Sequence, residues 1–304
     1  MNTITGPAPE AVAAPSCDRP DPIVRCEEIA ACAGHIDRTA VESMVSCLSD
    51  ADPMVRWEAS LALAKSARCL QRPEDLGQVL TMGSSDAMTL SELLEVMREG
   101  LASPDAAQRA SFAEALGRWP HPTAVALLEQ SLKDDSAEVR AAAAGGLGQL
   151  GALESTDDLI AALADTSLWV RRAAADALGA IGDRRATAPL VEMAQEGPAL
   201  TRTAALAALG RLPGKDAREA LQSSLGDPQG EVRWQAARSL EVAGTSASLP
   251  ALEGVLNDSF TLFGRSVGEV ALSAIQAIGQ REQGIWHALR AAVIRLVGRG
   301  RRRP

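Results

Sequence analysis

The chain predicts an all-α fold, an α-solenoid of about eight helical hairpins, and three observations predict it. Landmark residues recur every 31 positions: Arg109, Arg140, Arg171, Arg202 and Arg233 form one series, and Leu116, Leu147, Leu178, Leu209 and Leu240 another. Glycines follow the first four of these leucines, except that Leu240 is followed by Glu241. A second leucine series, Leu128, Leu159, Leu190, Leu221 and Leu252, keeps the same period on what reads as a second helix, as in "ESTDDLIAAL" and "ATAPLVEMA". The composition agrees: 46% of residues are apolar but only 3% aromatic, with no Tyr, which favours closely approaching helices over strands. Two helices of this length cannot bury their apolar faces alone, so the copies stack and share one core.

The elements follow in order. Residues 1–20 read as a flexible N-terminal segment, and residues 21–279 as the repeat array. "DPIVRC" and "DPMVRW" extend the array upstream, with Arg25 and Arg56 again 31 apart. From Arg56 to Arg109 the spacing is 53, so about 22 residues are inserted near 66–88, expected to loop out as an exposed flap. In the last copy Gly268 stands 35 residues after Arg233, an insertion of four that places Phe260 and Phe263, in "SFTLFGRS", on a loop. Residues 280–304 read as a capping helix, with Trp286, Leu289, Val293 and Leu296 on one side, and a basic tail.

The pattern V-R-x-x-A-A-x-A-L-G-x-I-G-D, nearly whole at Val170–Asp183, closely resembles the HEAT-like repeat of phycobilisome lyases, over roughly residues 21–279. The resemblance implies a right-handed superhelix of antiparallel helix pairs whose Val-Arg helices line the concave side. It is specific for fold and poor for function, because the matching positions are scaffold.

Within one copy the residues sort by helical spacing. Val170, Ala174, Leu178 and Ile181 form one stripe and belong to the core. Arg171 belongs to the arginine series, and acidic residues stand six positions before its members (Asp50, Asp134, Asp165, Glu196, Asp227), so the arginines are expected to tie successive turns together by charge-assisted hydrogen bonds. Trp169, Arg172 and Asp176 lie on a different stripe whose identities no repeat rule demands. Equivalent positions hold Met54, Trp57 and Leu61; Ala107, Ala110 and Glu114; Glu138, Ala141 and Gly145; Leu200, Thr203 and Ala207; and Glu231, Trp234 and Arg238. Trp and Arg on such a face are what binding hot spots use, so Met54, Trp57, Trp169, Arg172, Asp176, Leu200, Glu231, Trp234 and Arg238 are the candidate partner-binding residues. The plainer alternative is that each indole packs on its neighbouring hairpin.

Evidence for chemistry is thin. The three histidines, His35, His121 and His287, are not followed by Glu, unlike the paired His-Glu iron sites of HEAT-fold deoxyhypusine hydroxylases. Phosphate-loop, nucleophile-elbow and zinc-helix motifs are absent, so no catalytic residue, metal or cofactor is expected. Cys26 and His35 make a weak nucleophile pair at most. The five cysteines, Cys17, Cys26, Cys32, Cys47 and Cys69, are odd in number and lack a C-x-x-C pair, so reduced thiols are expected.

Net charge is −9, but residues 280–304 carry seven Arg and one Glu, leaving an acidic body and a basic tail suited to an acidic surface. The candidate stripe sets Glu114, Glu138, Asp176 and Glu231 against Arg172 and Arg238, which argues against nucleic acid. No transmembrane span and no signal peptide are read, so a cytoplasmic location is expected. The function expected is a non-enzymatic scaffold or adaptor holding a protein partner or segment on its concave face. The alternative is a factor resembling the E/F-type bilin lyases, assisting chromophore or cofactor attachment.

Overall fold

The computed structural model describes residues 19–71 and 88–282, which form helical hairpins throughout and one two-stranded hairpin. The chain divides into two compact units, residues 1–150 and 151–304. In the first unit the helices carrying the arginine series are α1 (Pro22–Cys32), α3 (Pro53–Gln71), α5 (Ala106–Leu116) and α7 (Ala137–Leu150). Their partners are α2 (Arg38–Cys47), α4 (Leu90–Leu101) and α6 (Pro122–Ser131). In the second unit the arginine-series positions lie on α9 (Leu168–Ile181), α11 (Ala199–Leu209), α13 (Gly230–Ala243) and α15 (267–282), paired with α8 (Thr156–Ala162), α10 (Thr187–Gln195), α12 (Lys215–Ser223) and α14 (Leu249–Glu253).

Local sequence sets the helix ends. Asp21, Asp37 and Asp105 cap α1, α2 and α5 by accepting the backbone N–H of Ile23, Ala40 and Ala107. Thr89 and Glu92 form a reciprocal capping box on α4, and Gly182 ends α9 in the left-handed conformation at φ 79°. Val170, Ala174 and Leu178 are buried, as their stripe predicts, whereas Ile181 at the helix end is half-buried.

The recurring glycine has a steric cause. A Cβ on Gly179 would lie 2.7 Å from Ala208 Cα, and one on Gly117 would lie 2.4 Å from Gly146 Cα. Each glycine is the point where neighbouring arginine-series helices touch backbone to backbone, and any side chain there forces them apart.

The arginine series works through two acceptors. Each guanidinium turns back to its own loop: Arg109, Arg140, Arg171 and Arg233 donate through Nη1 to the carbonyl six residues earlier, at Ser103 (2.9 Å), Asp134 (2.8 Å), Asp165 (2.6 Å) and Asp227 (2.8 Å). Its other edge reaches forward to an aspartate 25 residues on, in the pairs Arg25–Asp50, Arg109–Asp134, Arg202–Asp227 and Arg233–Asp258, at 2.9, 2.7, 2.8 and 2.5 Å. The same aspartates cap the loop they sit in, as Asp134 accepts from Ser136 N–H and Asp227 from Gln229 N–H. Successive copies are therefore tied as expected, but the acid six residues upstream supplies its arginine with a carbonyl, and its carboxylate serves the arginine of the preceding copy.

Several expectations are corrected. Helix α3 continues to Gln71 with Ser66, Ala67 and Leu70 buried, so the first residues of the expected insertion prolong a packed helix rather than loop out. Met88, placed at its far end, is also buried and donates its N–H to Ile36 O at 2.7 Å, so residues 66–71 and 88 belong to the core rather than to a flap. Cys47 is disulfide-bonded, while Cys26, Cys32 and Cys69 form no disulfide. An odd count requires only one unpaired thiol, so parity could not exclude a bond. The N-terminal segment, the body of the insertion and the basic tail lie outside the described residues except at 19–20 and 280–282.

Gly179→Ala should cost about 1–3 kcal/mol, the usual penalty of overpacking, and appear as a lower urea midpoint with unchanged slope. Hydrogen bonds from Arg109 and Arg233 hold the Asp134 and Asp258 carboxyls below their ordinary range. Their folded values lie below the unfolded ones, so this stabilisation is complete above about pH 4 and is lost as pH falls through the depressed values. Asp134→Asn should lower stability at pH 7 by about 2 kcal/mol, less than for a fully buried pair, and flatten the loss between neutral and acid pH in urea titrations.

Candidate functional site

The first unit carries a groove of about 420 Å³. Its lining includes Trp57, Ala110, Glu114, Glu138, Ala141 and Gly145, all positions of the stripe left over once core and arginine series are removed. The floor is small because Ala110, Ala141 and Gly145 occur where other copies carry larger groups. Trp57 stands at one wall, 48% exposed, and Arg118 lies over its ring with Cζ 5.9 Å from the centroid. Arg118 is held there by donating Nη1 to Ser60 Oγ (2.8 Å) and Glu114 O (3.0 Å). Desolvation raises the Glu114 carboxyl above its ordinary value, with Glu138 adding to the rise and Arg118 and Arg56 opposing it. Sequence reasoning missed Arg118; its signal was the i, i+4 spacing from Glu114. Met54 is exposed on the first turn of α3 but is not among the residues lining the groove.

In the second unit Trp169 is 63% exposed at the start of α9, and Arg172 and Asp176 follow it on the same face. Arg172 Nε lies 3.7 Å from Asp176 Oδ2. Desolvation raises the Asp176 carboxyl against the opposing charges of Arg172 and Arg211, so Arg211 is a member of this patch that the repeat pattern did not indicate. Leu200 is half-buried, and Glu231 and Arg238 are exposed.

The Cys26 thiol is pushed up, by burial first and then by Glu58 and Asp52, the reverse of what an activated nucleophile needs. Among the described residues no group of three or more His, Cys, Asp or Glu side chains comes together to hold a metal ion.

A family model described as HEAT repeats matches residues 90–168, 130–210 and 198–279. The chain belongs to the HEAT-repeat family. No curated protein matches it in sequence. Among solved structures it is similar to human deoxyhypusine hydroxylase in complex with glycerol, at 20% identity and TM-score 0.37, covering 88% of this chain and 93% of that one. It is also similar to YibA of Escherichia coli, at 18% identity and TM-score 0.48, covering 78% and 92%. A third is the complex of CpcE and CpcF of phycocyanin lyase from Nostoc, at 20% identity and TM-score 0.44, covering 79% and 94%. These likenesses concern the fold of HEAT repeats alone.

One candidate position is corrected by an insertion into the last HEAT repeat. Trp234 occupies the stripe position of Trp57 but is only 5% exposed. The four-residue insertion is accommodated by an antiparallel hairpin of residues 261–266, β1 (Thr261–Leu262) and β2 (Arg265–Ser266), turned by Phe263 and Gly264 at φ 50° and 75°. Trp234 Nε1 donates to Arg265 O in that hairpin at 3.1 Å, Phe263 meets its ring edge-on at 5.6 Å, and Arg238 Cζ lies 5.6 Å from its centroid. The indole of this HEAT repeat is thus covered, and Phe263, 84% exposed, is the aromatic presented instead. Both phenylalanines lie outside the helices as expected: Phe263 at the hairpin tip, and Phe260 just before β1, where it packs against Gly230.

Trp234→Ala should therefore lower stability by about 3–5 kcal/mol, in the range for a buried aromatic. Trp169→Ala should change it by less than about 0.5 kcal/mol. Paired thermal melts check the difference.

Proposed function

We propose that this HEAT-repeat protein is a non-enzymatic interaction scaffold that holds a segment of a partner protein against the exposed faces of its arginine-series helices. The observation that carries the reading is the groove over Ala110, Ala141 and Gly145, where an exposed indole, two carboxylates and a floor of small residues converge on positions the repeat does not need for folding. An indole beside a shallow apolar floor is the anchor type that dominates interface energetics. Glu114 and Glu138 outnumber Arg118, whose guanidinium is already engaged by Ser60 Oγ, Glu114 O and the Trp57 ring, which favours a segment bearing a lysine or arginine over a phosphate backbone. The exposed patch of Trp169, Arg172 and Asp176 offers the second unit a contact of its own.

No described helix is long and apolar enough to cross a membrane.

The test is affinity capture of partners with the wild-type chain and the double variant Trp57→Ala, Trp169→Ala. Loss of two exposed aromatic anchors should lower capture at least about tenfold with unchanged melting temperature. Equal capture would remove these faces from the interface. Because the Glu114 carboxyl titrates above its usual range, capture of a basic segment should weaken as pH falls through that raised value, and Glu114→Gln should remove this dependence.

A further inference from the structure

We infer that the second unit carries a separate docking site for an aspartate of a partner protein, formed where the arginine–aspartate series is interrupted at Arg171. In the paired copies the forward edge of the guanidinium is filled by an aspartate 25 residues on, as in Arg109–Asp134 and Arg202–Asp227. The residue 25 after Arg171 is Glu196, which is exposed and makes no ion pair with it. Arg171 keeps only its backward contacts, Nη1 to Asp165 O (2.6 Å) and Thr166 O (3.3 Å).

The interruption has a local cause. The aspartates of the series accept the N–H of the residue two positions on, as at Ser167 and Gln229. The residue two after Glu196 is Pro198, which has no N–H to give. Gly197 between them adopts φ 91°, and the carbonyl accepting from Arg202 Nη1 is that of Gly197 rather than of the residue six back. The loop that elsewhere delivers a carboxylate is therefore reshaped, and a groove of about 520 Å³ opens in front of Arg171.

That groove has a defined chemistry. Its walls include Ile160, Leu163, Pro189 and Met193, so an aliphatic group fits beside the half-buried guanidinium. A carboxylate delivered on a loop repeats the geometry the fold itself uses at Asp134 and Asp227, which favours an aspartate next to an aliphatic residue. Glu192 and Glu196 also line the groove and repel such a ligand, so affinity for a short peptide falls to about the millimolar range, but Arg171, unlike Arg118 in the first groove, presents a guanidinium edge that no group among the described residues fills. The site shares no residue with the groove of the first unit and does not depend on it.

The test uses the full chain and two blocked dipeptides, N-acetyl-Leu-Asp-amide and N-acetyl-Leu-Asn-amide, with the Arg171 Nε–H and Gly197 N–H signals followed by ¹⁵N NMR. The aspartate peptide should give a saturable shift of both signals, and the asparagine peptide should bind at least about tenfold more weakly. Glu196→Gln should tighten binding by removing one repelling charge, and Arg171→Gln should abolish it. The double variant Glu196→Asp, Pro198→Ser restores both the carboxylate and the missing N–H, so it should close the series internally and exclude the peptide while keeping or raising the melting temperature. No saturable shift at about 10 mM peptide, equal shifts from both peptides, or undiminished binding by the double variant would each overturn the inference.

Discussion

The two-sided engagement of series arginines such as Arg109 and Arg233 is the constraint on which the rest of the architecture depends. One guanidinium joins the loop before its own helix to the loop of the next copy, using a carbonyl behind and a carboxylate ahead. Because the receiving aspartate also caps its loop, the orientation of a helix start, the course of a loop and the offset between copies are fixed by one set of charge-assisted bonds. The glycine contacts act at the other end of the same helices, setting how closely they approach. Between these restraints, small apolar residues make up most of the core, with Phe112 and Trp119 buried among them, while Trp57 and Trp169 stay exposed.

Much of this was legible because it is periodic. The 31-residue spacing identified both helix sets, and the core stripe of Val170, Ala174 and Leu178 followed from helical geometry. The arginine series was recognised, but sequence distance alone pointed to the nearer acid, whereas the carboxylate that pairs lies 25 residues ahead. A distance along the chain cannot reveal that a stacked copy is nearer in space than the preceding loop. Subtracting scaffold positions left the residues that line the groove of the first unit, yet Arg118 was missed because it falls off the repeat.

Failures of the sequence reading cluster where the period is interrupted. The four-residue insertion changes Trp234 from an exposed residue into a buried one, and the course of an inserted hairpin is not encoded in the repeat pattern. The end of α3 and Met88 were assigned to a flap because counting places an insertion only to within a helical turn or two. Cys47 illustrates a different limit: composition constrains the number of bonds without choosing among them. Irregularities thus carry most of what distinguishes this chain from a generic array, both the covered indole and the open groove at Arg171.

The division of each arginine's contacts between six residues back and 25 ahead also bears on how such an array changes in evolution. A regular 31-residue copy such as 109–139 or 202–232 brings one arginine and one aspartate of the series, so gene duplication or deletion of such a copy leaves the charges of the series matched. Gain of a fraction of a copy breaks the register, as at Arg56, which has no carboxylate partner among the described residues. The ionic spacing therefore acts as a filter on length variation, tolerating whole multiples of the period and penalising fragments unless another acid replaces the one displaced.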